Sequence, residues 1–291
     1  MSFKEQIQHL PLVQDKVICN RLQKYVDVEL TEQEIDDVLY AAKKEKFYKL
    51  EQIQKKQQYE EMMNELKRPY SAHELQTFVL KRARKEIFDE NHQIVWTDET
   101  KMIFEALCYY FTNDIGFESL HERFKTIGHG WKLKKGLLLM GNVGTGKTKI
   151  MEMFTCNKRQ SYIIKSCTDI ASQYASAGSK VKETTAVDVL NMYSGVAPCY
   201  NTPVYFLQKE LGYCFDDLGT ESVKKNFGNQ LNVMEDILQN RYKNTMLPYH
   251  FTHITTNLTA DEIEQTYGFR VRDRMREMFN VIEFTGTSLR K

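Results

Sequence analysis

The sequence predicts an α/β fold: a parallel sheet with crossover helices, preceded by an all-helical segment. Three observations carry this expectation. All 14 glycines fall in 97–291 and none in 1–96, and glycine is what tight turns and close backbone approaches require. Beyond residue 97, short apolar runs alternate with helical stretches. One of those runs leads into a phosphate-loop pattern of the kind that joins a strand to a helix.

At 291 residues, a prior of about 150 residues per domain suggests two domains. They are drawn here as a helical domain and linker, 1–96, and an α/β domain, 97–291. In the first, Thr31-Glu32-Gln33-Glu34 fits a capping box. Behind it runs a stretch rich in helix formers and free of Gly and Pro until Pro69. Glu45–Lys49 and Glu51–Lys55 stand at i,i+4, which suits a solvated helix. The stretch reads either as a surface helix or as a coiled-coil-like arm for a partner protein; its apolar residues are too sparse for a heptad assignment. A second helix is expected from Ala72 to Phe88, with its LKRARKE segment as a solvated face.

In the second domain, Thr97 is the expected cap of a helix that buries Ile103, Phe104, Leu107, Tyr110 and Phe111. The expected strands are Leu137–Met140, Tyr162–Ile164, Tyr213–Phe215, Phe251–Thr256 and Val281–Phe284.

Composition excludes several classes. Forty Lys+Arg against 39 Asp+Glu leave a net charge of +1, so a nucleic-acid partner would need local patches. No apolar run approaches the roughly 20 residues of a membrane helix, and the N-terminus lacks a signal-peptide core. The six cysteines form no CxxC pair, which argues against a zinc site or disulfide framework and for a reduced, cytoplasmic setting.

The strongest motif is Gly141-Asn142-Val143-Gly144-Thr145-Gly146-Lys147-Thr148, which matches G-x-x-x-x-G-K-[ST]. Its glycines let backbone N–H groups face phosphate oxygens, at the positive end of a helix. Lys147 is expected on the β- and γ-phosphates of a bound nucleotide, and Thr148 on Mg²⁺. A strand ending in Asp216-Asp217 supplies the second half of such a site: Asp216 for the metal, Asp217 to polarise the attacking water. Glu221 is a further water-positioning candidate or a loop charge. Asn257, at another strand end, reads as a γ-phosphate contact or a turn former. Four arginines between Arg270 and Arg276 make either a solvated helix face or an arginine finger for a neighbouring subunit. Arg290-Lys291 is a tail or a second phosphate sensor.

GNVGTGKT, CFDDLGTE, ITTNLTADEIEQTYGFRVRDRM and VIEFTGTSLR stand in one order over roughly 120–291. Together they resemble the DnaC/DnaI helicase-loader and IstB-like family of AAA+ ATPases. The resemblance implies a five-stranded parallel sheet, ATP and Mg²⁺ as cofactors, and head-to-tail homo-oligomers. It gives Lys147 and Thr148 the Walker A roles and Asp216 and Asp217 those of Walker B. Asn257 becomes sensor 1, Arg274 the trans arginine finger (with Arg270 its rival) and Arg290 sensor 2. Only 34 residues follow Asn257, too few for a full helical lid. The implied activity is ATP hydrolysis coupled to loading a replicative helicase onto single-stranded DNA, through the N-terminal domain. The alternative is a transposition helper that binds duplex DNA and a transposase. A small-molecule kinase is a third reading, without a trans finger. For DNA contact, nine cations stand against Glu122 and Glu152 between 122 and 160. Tyr174 and Tyr193 are candidates to stack on bases, or core tyrosines.

Overall fold

The computed structural model describes residues 28–88, 96–124, 130–177, 184–198, 208–221, 224–226 and 229–288. The chain forms two compact units, Met1–Glu65 and Leu66–Lys291. The change in glycine use at 97 therefore falls inside the second unit.

Helix α1 (Glu32–Lys67) opens on the expected capping box: the Thr31 N–H donates to Glu34 Oε2 at 2.8 Å, and the Glu34 N–H donates to Thr31 Oγ1 at 3.3 Å. It buries no residue. Exposed Val38, Leu39, Phe47, Leu50 and Tyr59 lie around the helix rather than along one stripe. Ion pairs Glu45–Lys49 (2.5 Å) and Glu51–Lys55 (2.8 Å) lie along it; solvent screens exposed pairs of this kind.

In the second unit the helices are α2 (Ala72–Glu86), α3 (Asp98–Phe111), α4 (Gly116–Leu120), α5 (Lys147–Met153), α6 (Cys167–Ser176), α7 (Ala186–Ser194), α8 (Val233–Lys243), α9 (Ala260–Tyr267) and α10 (Phe269–Met278). The strands are β1 (Gly136–Gly141), β2 (Tyr162–Ser166), β3 (Ala197–Pro198), β4 (Glu210–Leu218), β5 (Lys224–Asn226), β6 (Asn229–Leu231), β7 (Thr252–Thr256) and β8 (Phe279–Phe284). Strands β2, β4, β7, β1 and β8 pair in that order, all parallel. This is the expected five-stranded sheet. The short β3 adds antiparallel to β4, and β5 and β6 form a separate hairpin.

Helices cover both faces of the sheet, so β1 is apolar at every position. Leu138 and Met140 face one core with α6, α7, α8, α9 and α10. Leu137 and Leu139 face the other, with α2, α3 and α5. Each such side chain, fully buried, contributes about 1.5–3 kcal/mol. All five predicted core residues of α3 are buried, and Thr97 caps it as expected.

Helix α2, assigned from sequence to the N-terminal part, belongs to this core. Leu75, Val79 and Ala83, spaced four apart, are buried against α3 and α5. Arg82 points inward and donates to the Met153 carbonyl (3.2 Å) and Thr155 Oγ1 (2.8 Å). LKRARKE is thus solvated on one side only.

Candidate functional site

The phosphate-loop motif lies between β1 and α5, as its pattern requires. Gly141, Gly144 and Gly146 all have positive φ, which residues with a Cβ rarely adopt. Lys147 is 5% exposed. Its ammonium donates to the carbonyls of Gly141 (2.7 Å) and Asn142 (2.8 Å) and to Asn257 Oδ1 (2.8 Å). Three oxygens offset the cost of burying that charge. Thr145 Oγ1 braces the loop by donating to the Asn142 carbonyl at 2.9 Å, while Val143 is exposed at the tip.

The carboxylates stand on a β-bulge. Phe215 pairs with Ile254 and Leu218 with Thr256, so Asp216 and Asp217 together oppose the single residue Thr255. The bulge re-aims both side chains, and Asp217 takes a left-handed φ of 54°. Thr255 Oγ1 donates to Asp216 Oδ1 at 2.6 Å and accepts from the Asp217 N–H at 3.0 Å. Thr148 Oγ1 donates to the same Asp216 oxygen at 2.8 Å. Burial pushes the Asp216 carboxyl above its usual pKa; the two hydroxyl hydrogen bonds oppose this, and the charges of Asp217 and Glu152 add to it. A hydroxyl and a carboxylate side by side form a hard-oxygen pair suited to a divalent cation such as Mg²⁺.

Beyond the bulge the chain turns at Gly219, with φ 102°. That φ favours glycine, and a Cβ there would lie 2.4 Å from Leu258 Cδ1, so the Leu258 side chain would have to shift. The Gly219 N–H donates to Glu221 Oε2 at 2.9 Å, and the Tyr267 hydroxyl donates to Glu221 Oε1.

Hydrogen bonds therefore join Lys147 to Asn257, Thr148 to Asp216 and, through Thr255, Asp216 to Asp217. The arginines stand apart from this cluster among the described residues. Arg274, on α10, is half-buried: its guanidinium lies 4.7 Å from the Tyr242 ring centre and donates to Gln239 Oε1 at 3.3 Å. Arg270 is exposed, and Arg272 pairs with Glu264 and with Asp261 (3.2 Å). Arg290 lies outside the described residues.

Of the two readings open for Tyr174 and Tyr193, the structure gives the core one. Tyr174 and Tyr193 are buried at 6% and 2% exposure, so neither ring is available to stack on bases. Much of the positive charge in 122–160 is engaged internally. Lys132 pairs with Glu118, and Lys149 with Glu152. Lys135 donates to the Arg276 carbonyl, Lys158 to that of Arg68, and Arg159 to those of Tyr110 and Leu133.

Thr255 and Arg241 are the residues that sequence reading missed. A polar residue at a sheet-centre position was the available signal for Thr255; nothing local marked Arg241. Arg241 is 1% exposed. It donates to Thr252 Oγ1 (2.7 Å) and to the carbonyls of Tyr193 (2.8 Å), Gly195 (2.5 Å) and Phe251 (3.1 Å). Burial pushes its pKa down to about 9. It ties the end of α7 to the start of β7.

Three solved structures match the chain at low identity. A crystal structure of the DnaC helicase loader matches 67% of this chain and 95% of its own, at 16% identity and a TM-score of 0.41. The DnaI structure matches 72% of this chain and 92% of its own, at 20% identity and a TM-score of 0.37. A DNA replication initiation factor matches 66% of this chain and 48% of its own, at 14% identity and a TM-score of 0.39. No protein-family model matches the sequence, and no curated protein matches it closely. Among the described residues no helix is long and apolar enough to cross a membrane.

Proposed function

We propose that this chain binds ATP with Mg²⁺ and hydrolyses it, as an AAA+ ATPase of the DnaC/DnaI and IstB-like kind. The observation that carries the reading is the meeting of Thr148, from the phosphate loop, with Asp216, near the C-terminal end of β4, at 2.8 Å. A glycine-rich turn of purely structural use needs no carboxylate there.

Thr148 and Asp216 would hold the metal ion, which would supply charge neutralisation on the β- and γ-phosphates. Lys147 brings a second positive charge to the same phosphates, in exchange for the Gly141 and Asn142 carbonyls. Asp217 orients the attacking water and accepts its proton. Thr255 fixes Asp217 through its backbone, which lets the two adjacent carboxylates do different work. Asn257, at the end of β7, senses the γ-phosphate beside Lys147. The test is direct: Lys147→Ala abolishes hydrolysis and weakens ATP binding in an equilibrium titration. A variant that turns over ATP at the wild-type rate sinks the assignment.

The finer reading is a loader of a replicative helicase onto single-stranded DNA, acting as a homo-oligomer in the cytoplasm. The order of phosphate loop, DDLG, TTN and RVRDR supports it. Arg274, held outside its own chain's cluster, is then a finger offered to a neighbouring copy. Mixing Arg274→Ala with Asp217→Asn subunits restores part of the activity if sites are shared; a monomeric protein with no rescue at any ratio rejects the assembly. Recovery of a replicative helicase from extract supports the loader role, and recovery of a transposase favours the transposition helper.

A further inference from the structure

Glu221 was a candidate for positioning the attacking water. Its geometry gives it other work. One carboxylate oxygen accepts from the Gly219 N–H at 2.9 Å, and the other accepts from the Tyr267 hydroxyl. Tyr267 is the last residue of α9 and is 2% exposed. The loop that these groups hold runs from Asp217, at φ 54°, to Gly219, at φ 102°. Two left-handed residues in three do not hold themselves, because each is disfavoured or unconstrained without outside contacts. Thr255 fixes the start of this segment at the Asp217 N–H. Thr220 Oγ1 donates to the Asp217 carbonyl at 2.7 Å, and Thr256 Oγ1 braces the middle by donating to the Leu218 carbonyl at 2.6 Å. Glu221 fixes Gly219, and Tyr267 fixes Glu221.

We propose that Glu221 and Tyr267 form a positioning pair that holds the Asp217–Gly219 turn, and with it the Asp217 carboxylate, in its hydrolytic geometry. Neither residue touches substrate. The pair rests on the ATPase reading above and adds to it a control exerted from α9. Gly268 follows Tyr267 directly and leads into the arginine-bearing α10. The same phenol therefore marks the join between the carboxylate loop and the arginine helix.

Removing one hydrogen bond to an ionised group corresponds to roughly ten- to a hundredfold when the loss falls on the rate. Tyr267→Phe is expected to lower kcat for ATP by that factor, while KM and the dissociation constant of ADP change less than about twofold. Glu221→Ala should match it, and the double variant should be no worse than either single one. Glu221→Gln distinguishes positioning from chemistry. Its amide oxygen can accept from Gly219 and its NH₂ can donate to the Tyr267 oxygen, so most of the rate is retained. Circular-dichroism melts run beside the kinetics report folding. If Glu221→Gln is as inactive as Asp217→Asn, Glu221 is a catalytic carboxylate and the proposal is overturned. It is overturned equally if Tyr267→Phe keeps the wild-type kcat, or loses nucleotide affinity and kcat together. A wild-type protein that does not hydrolyse ATP at all would instead reject the underlying ATPase assignment.

Discussion

Thr255→Val isolates the hydroxyl on which the carboxylate bulge depends. Thr255 is fully buried, and valine replaces it at nearly equal volume, so no cavity term enters. Two hydrogen bonds are lost: the one accepted from the Asp217 N–H and the one donated to Asp216 Oδ1. The first is worth about 1 kcal/mol, and the second, to a carboxylate, about 1.5–3 kcal/mol. The expected destabilisation is therefore about 2.5–4 kcal/mol. For a chain of this size each kcal/mol moves Tm by roughly 2–4 °C, giving a fall of about 5–15 °C. A functional change accompanies it. The Thr255 bond is one of two that oppose the upward push of burial on the Asp216 carboxyl. Without it the carboxyl pKa rises further, and on the proposed reading a Mg²⁺ held there would compete with a proton more strongly. Urea denaturation measures the first effect, and ATPase activity titrated with Mg²⁺ measures the second. Thr255→Ser, which keeps the hydroxyl, should retain both properties more fully. A valine variant with unchanged Tm and unchanged Mg²⁺ requirement would refute the reasoning.

Two further predictions follow from burial and charge. Asp216 has a raised folded pKa, so the fold favours its protonated form; the stability linked to it is present below the unfolded value of about 3.9 and is lost as pH rises through the folded value. Asp216→Asn should therefore melt higher than wild type at neutral pH while failing to hydrolyse ATP, with the advantage shrinking toward about pH 4; equal melts across that range would contradict it. Arg241→Lys cannot reproduce a fork that reaches four oxygens. It should cost about 2 kcal/mol or more in urea denaturation because buried carbonyls lose their donors, and a change below about 0.5 kcal/mol, the range of an ordinary surface substitution, would remove Arg241 from its structural role.

The strands were legible because burial on both faces of a parallel sheet demands apolar runs, and Leu137–Met140 is one. The helix caps were legible because an orphan N–H group needs an acceptor within three residues, and Thr97 supplies it. The domain edge was less legible. Helix α2 has no glycine and many charges, like α1, yet three residues four apart bury it in the second core. Its pattern is local, but its partner surface on α3 and α5 is distant in sequence.

The same division runs through the site. The sequence by itself supplied the phosphate-loop pattern, since only a lysine followed by serine or threonine completes G-x-x-x-x-G-K-[ST], and it placed Asp216-Asp217 at a strand end. Tertiary structure alone decided which groups meet. It set Thr255 opposite the carboxylates through a register shift between β4 and β7, brought Asn257 to Lys147 and put Tyr267 on Glu221. It also turned Tyr174, Tyr193 and Arg241 inward, and spent much of an apparent basic patch on carbonyls and carboxylates. The physical reason is that a residue type reports what it can bond to, while burial, register and the partners across the sheet select what it does bond to.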